Sequence, residues 1–208
     1  MTSEAQPRTR RTREALLDEL VGVVLAEGFA HLGVADLAAR LHCSRSTLYA
    51  VAPSKEQLLL AAVRHFFRRA TERIEPAVQG EPDPGRRLGA YLAAVARELA
   101  PAGAAFRADL AGHPPAAEVY RANTERAARR VQELVDDGVR AGRMRPVDAR
   151  FVGAAVAEVM TGIQRGVLLE RTGLADAEAY LALADLVTRG VGVPASTTPA
   201  DRPLLPRT

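Results

Sequence analysis

The sequence predicts an all-α fold, and three observations carry that expectation. Ala, Leu and Val supply most of a 48% hydrophobic content while aromatics stand at only 4%, and Ala and Leu are strong helix formers. Apolar residues recur at three- and four-residue spacing, with none of the Val/Ile/Thr alternation of strands. Glycine and proline interrupt these stretches at intervals that predict about nine helices.

Residues 1–11 are polar, contain Pro7, and read as a disordered basic arm. Thr12 is a usable N-cap for a first helix to about Glu27, with Leu16, Leu17, Leu20, Val21, Val24 and Leu25 on one face. Gly28 ends it. A second helix covers Gly33 to Leu41 and buries Val34, Leu37, Ala38 and Leu41. His42-Cys43-Ser44 makes a turn, and Ser44 caps a third helix through Val51 that Pro53 stops. Ser54 and Gln57 form a capping box for a long fourth helix, striped by Leu58, Leu59, Ala62, Val63, Phe66 and Phe67 and ending near Glu75 before Pro76.

Gly80 to Gly85 is a linker whose Asp83 and Pro84 cap a fifth helix running to about Ala100. A weak helix over 102–110 follows, then His113-Pro114-Pro115, then a long helix over 115–141. The next is expected as one unbroken helix over 147–172, burying Phe151, Ala155, Val159, Ile163 and Val167, and the last runs from Asp176 to Val191. Residues 192–208, with their prolines, read as a disordered tail.

Other classes of protein find no support. No apolar run reaches the roughly 20 residues of a membrane span, and the polar N-terminus lacks a signal peptide's apolar core. Cys43 is the only cysteine, so no intrachain disulfide forms and a cytoplasmic location is expected. His31, His42, His65 and His113 show no metal-ligand spacing with one another or with Cys43. No phosphate loop, nucleophile elbow or paired carboxylates stand out. The expectation is no enzyme, no metal and no cofactor.

Charge points elsewhere. Residues 1–73 hold 11 Lys/Arg against 8 Asp/Glu, while residues 74–208 hold 17 of each. The whole net charge of +3 therefore lies in the first third, as expected of a segment that meets phosphate. That segment contains two short helices across a tight turn, the unit that lays its second helix in the DNA major groove. Leu41 and Leu48 pin the two helices together, which leaves Arg45, Ser46, Thr47 and Tyr49 facing outward. Arg45 can grip guanine with two parallel hydrogen bonds, Thr47 can touch a base edge or a thymine methyl, and Tyr49 can reach phosphate. Lys55 stands at a helix N-terminus that favours an anion. Arg8, Arg10, Arg11 and Arg13 can follow phosphates or enter the minor groove. The candidate DNA-contacting set is Arg10, Arg11, Arg13, Gly33, Val34, Ser44, Arg45, Ser46, Thr47, Tyr49 and Lys55.

Gly28-Phe29, Val34-Ala35-Asp36-Leu37-Ala38, Ser44-Arg45-Ser46-Thr47-Leu48-Tyr49 and Ser54-Lys55-Glu56-Gln57-Leu58 together resemble the DNA-binding domain of the TetR (tetracycline-repressor) family of bacterial regulators. The resemblance spans roughly residues 12–65; the rest matches in helix number, length and order. It implies a division into an arm (1–11), a DNA-binding domain (12–53, with its helix-turn-helix at about 32–51), a connecting helix (54–76), a ligand-binding and dimerisation domain (77–191) and a tail (192–208).

It also implies a homodimer through the helices at 147–172 and 176–191, where Gly153, Ala154, Ala155, Ala157, Gly162 and Gly166 admit a close partner. Such a dimer reads a near-palindromic double-stranded operator. A small apolar ligand is expected between the helices at 84–100, 115–141 and 147–172, with Tyr91, Phe106, Tyr120, Asn123, Met160, Thr161 and Gln164 as candidate contacts. The implied activity is that of a repressor released when ligand binding tilts the fourth helix.

Three positions depart from the family pattern. Val51 and Ala52 stand where a phosphate-contacting His and a core Phe are usual, and His42 replaces the turn glycine. An alternative reading follows from the first two: a ligand-binding protein of the same fold with weakened or lost DNA recognition.

Overall fold

A computed structural model describes residues 12–193. The expectations for residues 1–11 and 194–208, Arg8, Arg10 and Arg11 among them, lie outside the described residues. Within them the chain forms ten helices and no strand: α1 Arg13–Glu27, α2 Val34–Arg40, α3 Arg45–Val51, α4 Lys55–Gln79, α5 Pro84–Leu99, α6 Ala104–Ala111, α7 Pro114–Arg140, α8 Ala149–Gln164, α9 Val167–Thr172 and α10 Asp176–Val191. The all-α class read from the sequence is the class observed.

Side-chain oxygens at the N-cap start half of these helices by taking up N–H groups that have no partner in the first turn. Thr12 Oγ1 accepts from Ala15 at 3.2 Å, Ser44 Oγ from Thr47 at 3.1 Å and Ser54 Oγ from Gln57 at 3.2 Å. Asp83 accepts from Gly85 at 2.9 Å, with Pro84 as the first residue of α5. Asp148, one of the caps not singled out by the sequence, accepts from both Arg150 and Phe151.

One continuous apolar core runs through the molecule. At its N-terminal end Leu16, Leu20 and Val24 of α1 meet Phe29, Leu32, Leu37, Leu41 and Leu48, all buried. The first half of α4 closes this head with Leu58, Leu59, Ala62 and Val63, and its second half carries Phe66, Phe67, Ala70 and Ile74 into the C-terminal body. A single rigid helix therefore serves both parts.

Three features differ from the sequence reading. Helix α4 passes through Pro76 to Gln79. Pro76 lies on the exposed face, where water can take the carbonyl its ring leaves unbonded, while buried Ile74 and Val78 hold the helix to the body. The helix expected over 147–172 is broken into α8 and α9 at Gly166, whose φ of +75° is left-handed. The buried face of α8 is also rotated from expectation. Ala149, Gly153, Val156, Met160 and Ile163 point inward, whereas Phe151 is 72% exposed and Ala155 also faces out. The reason is Gly153: α7 approaches so closely there that a Cβ would lie 2.8 Å from the Ala128 carbonyl oxygen. The Gly153 side of α8 faces α7, and Phe151 is left outward.

Candidate nucleic-acid interface and ligand cavity

The turn between α2 and α3 is closed by its own backbone. Cys43 N–H donates to Ala38 O at 3.0 Å and His42 N–H to Ala39 O at 3.2 Å, the paired bonds that end a helix when the next residue turns left-handed. That residue is His42, with φ of +48°, the one non-glycine at positive φ among the described residues. Helix α3 then sets off with Ser44 as its cap, whose hydroxyl also contacts Ser46 Oγ at 2.7 Å and Thr47 Oγ1 at 2.8 Å.

Leu48 is fully buried and Leu41 nearly so. They fix α3 against the head, and Arg45, Ser46, Thr47 and Tyr49 stand on its solvent face. Arg45 has no acidic partner among the described residues, so its guanidinium is free for an external acceptor. Gly33 and Val34 lie half-buried at the start of α2, and Arg13 is exposed at the start of α1. Lys55, the chain's single lysine, is half-buried and donates to Ala30 O at 3.2 Å. Its charge sits beside the interface while its side chain also ties α4 to the turn before α2. At the end of α3, Ala52 is buried and Val51 packs against the core, so small apolar contacts hold that end.

A second set of contacts, not legible in the sequence, joins the head to the body. Asp109 of α6 accepts the N–H groups of Phe29 and Ala30, and Gly103 N–H donates to Leu25 O at 3.0 Å. Phe106 packs edge-on against Phe29 with ring centres 6.3 Å apart. These partners lie about eighty residues apart in sequence, beyond any local pattern.

The body holds a cavity of about 400 Å³ between α4, α5, α7 and α8. Tyr91, Asn123, Met160 and Gln164 line it, together with Phe67, Ile74 and Val95. Phe106 lies instead at the head-to-body junction, Tyr120 packs edge-on to Phe67 at 5.0 Å in the core, and Thr161 turns back to donate to Ala157 O. Sequence reading missed the cavity's charged residues. Arg130 Nε and Nη2 grip Glu75 at 3.1 and 3.0 Å, and Nη1 meets Glu133 at 3.0 Å. A mixed charge pattern on long helices reads as a solvated face, which hid them.

Beyond the cavity, α8 and α10 leave an apolar groove open to solvent, lined by Phe151, Val152, Val159, Leu183, Leu186 and Val187. Among the described residues no cluster of three His, Cys, Asp or Glu side chains could hold a metal, and no helix is long and apolar enough to cross a membrane.

Comparison with known proteins agrees with this layout. Over 100 residues the chain is 34% identical to the HTH-type transcriptional regulator EthR of Mycolicibacterium smegmatis, a match covering 42% of this chain and 46% of that protein. The chain thus spans about half the length of that relative. A crystal structure of a TetR transcription regulator from Haloarcula marismortui superposes with a TM-score of 0.69 at 19% identity, over 87% of this chain and 98% of the other. One from Chloroflexus aurantiacus gives 0.66 at 23%, over 87% and 96%. A regulator from Saccharomonospora viridis, crystallised in complex with choline, gives 0.70 at 19%, over 87% and 97%. These likenesses show the fold. The head goes further, because residues 14–62 match the sequence profile of bacterial regulatory proteins of the tetR family.

Proposed function

We propose that this chain is a sequence-specific DNA-binding transcription regulator, working in the cytoplasm as a homodimer and acting as a repressor that a small ligand releases. The observation that carries the reading is the outer face of α3. Arg45, Ser46, Thr47 and Tyr49 are exposed together, with the Arg45 guanidinium unpaired among the described residues, on a helix whose other side is locked by Leu48. That is the arrangement direct readout in a major groove needs.

The groove between α8 and α10 supports the dimer. Phe151 and Leu186 are 72% and 70% exposed, and apolar side chains of this size gathered on one face call for a partner. A second copy supplies the same face by two-fold symmetry and sets two α3 helices side by side. The cavity supports ligand release, since α4 lines it through Phe67 and Ile74 and also forms part of the head.

Footprinting on the DNA flanking the chain's own gene tests the reading. The expected result is a protected, near-palindromic site whose affinity falls steeply with salt. Absence of any salt-sensitive protection would overturn it and favour a ligand-binding protein that has lost DNA recognition.

A further inference from the structure

Tyr91 of α5 is a polar group that the protein itself leaves unanswered. It is 6% exposed and lines the cavity, and its hydroxyl has no hydrogen-bond partner among the described residues. The oxygen is not sealed into the core, as Arg69 Nε and Thr188 Oγ1 are, so the space it reaches is the cavity. Buried polar groups are almost always hydrogen-bonded, and an exception marks a place where a partner from outside can bind.

The neighbouring polar side chains are already engaged. Thr71 donates to Phe67 O at 3.0 Å and Thr124 to Tyr120 O at 3.2 Å. Gln164 donates to Thr124 and to Tyr180, both at 3.3 Å. Burial pushes the Tyr91 phenol up to about 12, with Glu75 adding to the shift. At neutral pH it is therefore an uncharged donor.

Inside its rim, every carboxylate of the cavity is held by an arginine. Its lining holds three glutamates and three arginines. Arg130 occupies Glu75 and Glu133, and Arg73 from outside the lining occupies Glu98 with contacts of 2.9 and 3.0 Å. Arg126 and Arg129 stand at the exposed rim, where Arg126 donates to Asn123. An ion moving past that rim leaves water for an apolar wall with no free counter-charge, which is strongly unfavourable.

We propose that the cavity takes an uncharged, mainly apolar molecule bearing one hydrogen-bonding oxygen, a carbonyl or hydroxyl, and that Tyr91 recognises that oxygen. This deepens the ligand-release reading given above and rests on it. Tyr91 supplies the directional contact, while Phe67, Ile74, Val95 and Met160 supply the apolar surface.

Four probes of matched shape test the assignment on the full-length chain by ligand-detected NMR titration. They are benzylacetone, butylbenzene, phenylbutyrate and phenylpropyltrimethylammonium. Both neutral probes are expected to bind more tightly than either ion. Tyr91→Phe should weaken benzylacetone about fivefold, the scale of one neutral hydrogen bond, and leave butylbenzene unchanged. The variant's melting temperature without probe should equal or exceed that of the wild type, because the substitution breaks no bond. Preference for either ion, an unchanged benzylacetone affinity in Tyr91→Phe, or no saturable binding by any probe would each overturn the proposal. With DNA absent from the titration, its failure leaves the DNA-binding reading standing, and a failed footprint leaves the titration standing.

Discussion

The Asp109 carboxylate accepts the backbone N–H of Phe29 at 2.5 Å, and the same oxygen accepts Ala30 N–H at 2.8 Å. One side chain of α6 thereby fastens the turn between α1 and α2. Gly28 makes the room, since at its φ of +80° a Cβ would lie 2.6 Å from that oxygen. Two residues away on α6, Arg107 pairs with Asp176 of α10 at 2.6 Å, with both side chains largely buried. A short helix thus connects the head to α10 through two charged groups two residues apart.

Asp109→Ala removes the acceptor from two backbone donors and is expected to cost about 1–3 kcal/mol of stability. Asp109→Asn keeps an oxygen and should cost less. Urea denaturation gives the totals, and hydrogen exchange should show the Phe29 and Ala30 amides opening faster in the alanine variant.

On the outer face of α3, Arg45→Ala and Tyr49→Ala should change stability by no more than about 0.5 kcal/mol, as exposed substitutions do. Arg45→Ala should weaken specific DNA binding by about 1–3 kcal/mol if it reads a guanine. Lys55→Ala is expected to behave differently and lower both, because Lys55 also donates to Ala30 O. Paired denaturation and DNA titrations separate the two patterns.

Gly153→Ala should destabilise the body by about 1–3 kcal/mol, the usual range for overpacking. Its Cβ would meet the Ala128 carbonyl oxygen at 2.8 Å, and backbone inside α7 cannot step aside. Gly138→Ala is the control. There the obstructing atoms belong to the flexible Met144 side chain, so the loss in a thermal melt should be smaller.

Phe151→Glu and Leu186→Glu place charges in the groove between α8 and α10. Both positions are exposed in the single chain, so helix content by circular dichroism should hold. Sedimentation should show a monomer in place of the proposed dimer.

Acid should loosen the start of α5. The Arg143 guanidinium, bonded to both Asp83 oxygens at 3.1 Å, and then the Gly85 N–H hold the Asp83 carboxyl below its usual 3.8. A lowered carboxylate stabilises the fold above its unfolded value, and that contribution disappears as pH falls through the folded value. Arg143→Ala should therefore narrow the stability difference between pH 5 and pH 3 (about the span around an ordinary carboxylate), as measured by urea midpoints.

Local chemistry made much of this structure legible in the sequence. Thr12, Ser44, Ser54 and Asp83 announced four helix starts because capping is settled within three residues. Leu41 and Leu48 identified the buried side of the head, and so the outer face of α3. Phe151 and Ala155 were misjudged for the opposite reason. An apolar stripe says that a face is covered but does not say by what, and Gly153 shows that α7 claims the other side of α8. Asp109 and Arg130 act on partners distant in sequence, at Phe29 and Glu75, where periodicity carries no information.

The length of α3 sets a limit on vocabulary. Seven residues extend about 10 Å, the axial rise of about three base pairs. A word of about three letters recurs by chance once in roughly 64 positions, far too often to single out one address among the million or more a genome offers. Two such words held at a fixed spacing recur once in roughly 4,000 positions, and each further letter must come from contacts outside α3 or from the shape of the intervening DNA. In the proposed dimer the spacing between heads is then itself part of the message, and a ligand that changed it would make the address unreadable without touching a single base contact.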